Sequence, residues 1–263
     1  MPFPMADKRL AADAAITPEE IELLLAEPIR LVATQMRRRA PRPRPRKDSA
    51  FLEARAVLPT SARCDRADLA PVSRQLPFVT CVANAASRAV ETLAWRTSGT
   101  RPRFDAEELH HCLLGRPLEE GIVDPGRALR SMEQSGFPIA GRYNPPGPCP
   151  APNSNVVRLG RWSRVRDESD AKSVISAGMP VVALITTNRD FMLVKDFRIW
   201  RDLPGSRELV HAILLVGYDD SGQFWELQNS FGTDWGDDGF GRLGYNESSL
   251  LADNRHAAFF VRA

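Results

Sequence analysis

The chain has 263 residues, is 43% hydrophobic and 26% charged, and carries a net charge of +2. This is an ordinary globular composition, long enough for one sizeable domain or two modest ones. A charge so near neutral gives no general argument for a nucleic-acid or membrane partner. No apolar run of roughly 18 residues is present to span a bilayer, and the start Met1-Pro2-Phe3-Pro4-Met5-Ala6-Asp7 lacks the apolar stretch of a secretory signal.

Residues 17–39 read as a helix. Thr17 suits the N-cap, Pro18 the first turn, Glu19 and Glu20 the positive end of the dipole, and Arg37–Arg39 the C-terminal end. The stretch at 40–48 alternates proline with arginine, so it is expected to be an extended, solvated linker. Residues 1–58 therefore form an N-terminal extension to a main domain at 59–263. The extension reads as a self-inhibitory pro-segment, a partner-binding helix, or a helix packed on the back of the domain. The Pro/Arg stretch itself could bind an acidic partner or nucleic acid, or be a cleavage site; a solvated linker is the plainer reading.

Residues 81–96 are alanine-rich, free of glycine and proline, and predict a buried helix. Asp105 caps another short helix, and 124–135 predicts a third, ended by Gly136. Beyond the Pro/Gly-rich segment 144–152, a helix at 170–177 precedes strands at Val181–Thr187, Ala212–Tyr218, Phe224–Gln228 and Gly239–Leu243. Asp219-Asp220-Ser221-Gly222 supplies a hairpin turn. The fold class is α+β in two lobes, helical at about 75–150 and β-rich at about 151–263.

Four cysteines stand at 64, 81, 112 and 149 without a CxxC pair, which argues against a zinc or redox motif. A secreted chain of this size more often has paired cysteines, so a reducing, cytoplasmic compartment is expected. No metal or cofactor is expected.

His211 opens an apolar strand, and Cys81 opens the alanine-rich helix. Alone, His211 reads more readily as a satisfied core residue, and Cys81 equally well as a buried thiol. Together they fit nucleophilic thiol chemistry, because a helix N-terminus and a nearby imidazolium both stabilise a thiolate.

Four segments carry a family resemblance. They are Pro71-Val72-Ser73-Arg74-Gln75 with Cys81 six residues on, Phe104-Asp105-Ala106-Glu107-Glu108-Leu109-His110-His111-Cys112, His211-Ala212-Ile213-Leu214-Leu215-Val216-Gly217-Tyr218, and Asn229-Ser230-Phe231-Gly232-Thr233-Asp234-Trp235-Gly236-Asp237-Asp238-Gly239-Phe240. In this order they resemble the papain-like (C1) cysteine peptidases. The resemblance implies a papain-like two-lobed fold, with the nucleophile helix in one lobe and an antiparallel, barrel-like sheet in the other. It implies Cys81 as nucleophile, His211 as base, Asn229 as the residue orienting the imidazole, and Gln75 as oxyanion donor. Val79, Thr80, Leu209, Val210, Ala212 and Trp235 are the expected substrate-side residues.

The chain departs from that family pattern around the nucleophile, where Val79, Thr80 and Val82 replace the usual neighbours, and at Phe231, which replaces a tryptophan. The family's usual partner position for Cys112 is occupied by Phe78, so Cys64, Cys112 and Cys149 are expected to be free. The resemblance implies a peptidase, and the bulkier cleft positions with the missing secretory signal point to a dedicated intracellular protein or peptide as its substrate. A papain-fold transpeptidase or acyltransferase and a non-catalytic peptide-binding scaffold are the alternatives.

Overall fold

The computed structural model describes residues 58–121, 125–151, 156–158, 160–201, 209–245 and 258–262. The helix expected at 17–39 and the Pro/Arg linker lie outside them. Strand β1 (Ser61–Arg63) is followed by helix α1 (Cys81–Ser98). Alanine gives α1 its propensity, and Gly99 ends it in the left-handed region at φ 68°, its N–H donating to Trp95 O. All residues from Cys81 to Ala94 are buried. A helix covered on every side is a core element rather than an amphipathic one, and its small side chains let it lie close against the sheet.

Helix α2 (Ala106–Glu108) starts at Asp105, whose carboxylate accepts from Glu108 N at 2.8 Å, and passes directly into a π-helical turn, Leu109–Leu113. Helix α3 (Pro125–Ser135) leads to a two-strand ladder of β2 (Phe137–Pro138) and β3 (Val156–Val157). The second half contains β4 (Arg161–Val165), α4 (Glu168–Ser176), β5 (Val181–Thr187), α5 (Arg189–Met192), β6 (Ile199–Trp200), β7 (Leu209–Asp219), β8 (Phe224–Gln228), β9 (Phe240–Gly244) and β10 (Ala258–Arg262).

One sheet runs in the order β4-β10-β5-β7-β8-β9-β6, with β1 added on β7. All pairs are antiparallel except β6 with β9. The α+β class holds, but the sheet is open: among the described residues its end strands β4 and β6 do not pair with each other, and β6 is only two residues long. Strand β7 begins three residues earlier than its apolar run suggested. Leu209, Val210 and His211 pair with Thr187, Thr186 and Ile185, so cross-strand bonding carries the strand through the histidine. The expected turn is present, with Gly222 N donating to Asp219 Oδ1 at 2.8 Å.

The expectation of free cysteines fails at two positions. Cys112, on the π-helical turn, is bonded to Cys149, with Cα atoms 5.6 Å apart. The π-helical turn and the proline-rich segment 144–151 bring together two residues 37 apart in sequence, a juxtaposition that no local pattern encodes. The unpaired-cysteine argument for a reducing compartment therefore falls. Cys64 and Cys81 are outside any disulfide.

Candidate active site

Cys81 is the first residue of α1 and is 6% exposed. Its thiol sits where the unsatisfied N–H groups of a long helix converge, a position that favours negative charge. Thr80 precedes it, fully buried. Its hydroxyl accepts from Asn84 Nδ2 at 2.9 Å, and its carbonyl accepts from the same amide at 3.1 Å. The Thr80 side chain is thus turned into the start of the helix. Val79, also buried, donates its N–H to Leu118 O at 2.8 Å.

α1 packs against β7, the strand that carries His211. His211 Nε2 donates to Asn229 Oδ1 at 2.7 Å, and Ser230 N donates to the same oxygen at 2.8 Å. The backbone N–H can only donate, which identifies the atom as the amide oxygen and makes His211 Nε2 a protonated donor. Nδ1 is then the nitrogen able to take up a proton. The ring stacks on Phe231 at 4.6 Å and 23° and meets Phe191 edge-on at 6.2 Å. Both aromatics are fully buried, and Phe231 covers one face of the imidazole.

Burial pushes the His211 pKa down to about 4, against the opposing effect of the Asn229 hydrogen bond. Alone, this imidazole is neutral near pH 7. It gains charge most readily when a counter-anion forms beside it.

Gln75 is fully buried and spans the site. Its N–H donates to Ser230 O at 2.8 Å, its Oε1 accepts from Ser230 Oγ at 2.7 Å, and Nε2 donates to Phe78 O at 3.0 Å. One of the two Nε2 hydrogens is thereby used, and only the second can serve an oxyanion. Ser230 is the residue that ties Gln75 to the Asn229 segment. It lies inside the Asn229–Phe240 motif, but its hydroxyl had no role readable from sequence.

Leu209, Ala212 and Trp235 are buried, at 4%, 1% and 1% exposure, and Val210 is half-buried. Trp235 Nε1 donates to Phe191 O at 2.7 Å, which locks the aromatic stack behind the histidine. The motif glycines have a steric cause. Gly236 and Gly239 have φ of 63° and 85°, and a Cβ on them would run into Phe240 O and Val72 Cγ1 respectively.

The family profile described as papain family cysteine protease matches residues 62–258. The chain belongs to this family. A cathepsin B-like protein of Giardia intestinalis is 30% identical over 126 residues, which are 43% of this chain and 41% of that protein, so the chain spans less than half of that relative. Among solved structures, bromelain of Ananas comosus in complex with the inhibitor E64 shares the fold with a TM-score of 0.63 and 24% identity, covering 78% of this chain and 99% of that one. The proform of the ragweed pollen cysteine protease Amb a 11 superposes with a TM-score of 0.70 at 19% identity over 92% of this chain and 77% of that one.

Buried charge was the signal not used in the sequence. Arg88 and Glu91 sit within the apolar run of α1 and form an ion pair at 2.8 Å. Arg88 Nη2 also donates to Phe104 O at 3.1 Å, and Glu91 Oε1 accepts from Phe104 N at 2.7 Å.

Proposed function

We propose that the chain is a thiol endopeptidase acting on a dedicated protein or peptide substrate, with Cys81 as nucleophile and His211 as its base. The observation that carries this reading is the 2.7 Å bond from His211 Nε2 to Asn229 Oδ1. It fixes the tautomer that leaves Nδ1 basic, on the strand packed against the helix that Cys81 begins. The thiol proton moves to Nδ1, and the thiolate is held by the helix N-terminus and the new imidazolium. Ion-pair formation offsets the burial that otherwise keeps the imidazole neutral. The thiolate adds to the scissile carbonyl, and the oxyanion is met by Cys81 N–H and the second Nε2 hydrogen of Gln75. The imidazolium then protonates the leaving amine, and water resolves the thioacyl-enzyme with His211 as general base.

The family match begins at residue 62, which leaves the N-terminal extension outside it. In this reading the extension blocks the site until it is cleaved in the Pro/Arg region, an arrangement compatible with the ragweed neighbour being a proform. Intact mass of wild type beside Cys81→Ala checks this point: loss of the extension in the wild type alone supports it, and two full-length chains refute it.

The test of the catalytic reading is incubation with an epoxide-type thiol-protease inhibitor followed by peptide mapping. Selective modification of Cys81, lost in His211→Ala, is the expected result. Equal modification of Cys64 and Cys81, unaffected by His211→Ala, would refute it.

A further inference from the structure

Beside Asn229 lies a small, partly open cavity of about 10 Å³ between α1, β7 and the end of β8, room for about one water molecule. Four residues lining it hold buried polar atoms that lack a partner: Ser73 Oγ, Arg88 Nε and Nη1, Gln228 Oε1 and Asn229 Nδ2. Buried polar groups are nearly always hydrogen-bonded, and three of these side chains are pinned by other bonds. Gln228 Nε2 is held by Ala70 O at 2.8 Å, Arg88 Nη2 by Glu91 and Phe104 O, and Asn229 Oδ1 by His211 and Ser230.

The atoms around the cavity have complementary chemistry. Asn229 Nδ2 and the guanidinium only donate, Gln228 Oε1 only accepts, and the serine hydroxyl can accept. A water molecule accepts two hydrogen bonds and donates two.

We propose that one ordered water occupies this cavity, accepting from Asn229 Nδ2 and Arg88 and donating to Gln228 Oε1 and Ser73 Oγ, which makes Arg88 a positioning residue for Asn229. The water joins the helix that begins at Cys81 to the amide that orients His211. Arg88 in turn is braced by Glu91 from the same helix. This inference rests on the catalytic reading of Asn229, and its test separates the two.

Arg88→Met/Glu91→Gln removes the guanidinium without leaving a bare buried carboxylate. Ser73→Ala leaves the ion pair intact and carries the test if the double variant does not fold. Hydrolysis of a Phe-Arg aminocoumarin amide is followed against pH, beside a high-resolution crystal structure of the wild type. Slackening of Asn229 weakens the bond that raises His211 basicity, so the alkaline limb of kcat/KM should move to lower pH. In the double variant kcat should fall roughly tenfold with KM unchanged. Ser73→Ala should give a smaller change in the same direction, and Arg88→Lys, which keeps a cationic donor, should recover most of the loss.

One ordered water within hydrogen-bond distance of all four residues is the expected density. A dry cavity overturns the inference, as does an alkaline limb in both folded variants that superposes on the wild type. Failure of the wild type to take the epoxide at Cys81 would instead overturn the catalytic reading.

Discussion

Removing the Cys112–Cys149 bridge should destabilise the protein by several kcal/mol, and the loop length gives the size. Cross-linking residues n apart withdraws about 2.1 + 1.5R ln n cal/mol/K from the unfolded chain. With a separation of 37 residues, this is about 3.8 kcal/mol at 25 °C. Cys112 is half-buried and Cys149 exposed, so serines there keep contact with water and add little desolvation cost. For a domain of this size the loss corresponds to a Tm lowered by about 8–15 °C. The assay is urea unfolding of Cys112→Ser/Cys149→Ser in a Cys81→Ala background, which removes self-digestion. The background protein in reductant should follow the double serine variant. Under denaturing, non-reducing conditions the wild type should titrate two thiols, from Cys64 and Cys81. Four titrating thiols, or stability within about 1 kcal/mol of the parent, would refute the reasoning.

Asn229→Ala deprives His211 Nε2 and Ser230 N of their shared acceptor. A hydrogen bond of this kind is worth about 1–3 kcal/mol, so kcat should fall roughly 5- to 150-fold and the alkaline limb of the pH–rate profile should move down. Glu91→Ala strands the Arg88 guanidinium, which is 5% exposed; a loss of about 3–5 kcal/mol is expected in denaturant melts. In Cys81→Ala, where no thiolate can form, the His211 pKa of about 4 in the folded state lies below its ordinary 6.5. The unfolded chain then binds the extra proton, so this contribution is complete above pH 6.5 and is lost as pH falls towards 4. Its size is on the order of 3 kcal/mol, and it should be absent from melts of Cys81→Ala/His211→Phe over the same range.

Much of the fold was legible because its signals are local. The alanine-rich run at 81–96 appears as α1, and Val181–Thr187 and Phe224–Gln228 form strands with those limits. Each element follows from propensity and from the residues that end it. The asparagine–histidine pair was reached through spaced motifs, and its glycines are explained by the positive φ at Gly236 and Gly239. What failed depended on residues remote in sequence. The disulfide joins positions whose meeting is decided by the packing of two loops. Among the described residues the sheet stays open, with a two-residue strand at one end.

Residue type and helix position made Cys81 and His211 candidates, and the resemblance of the spaced motifs to the papain-like family added Asn229 and Gln75. Tertiary structure decided their environment. It placed Ser230 between Gln75 and Asn229, laid Phe231 on the imidazole, and set Arg88 and Glu91 as a buried pair near a cavity beside the asparagine. The physical reason is the same in each case. A sequence specifies local conformation through a few neighbouring residues, whereas desolvation, stacking and hydrogen-bond completion depend on groups that meet only when the chain has folded.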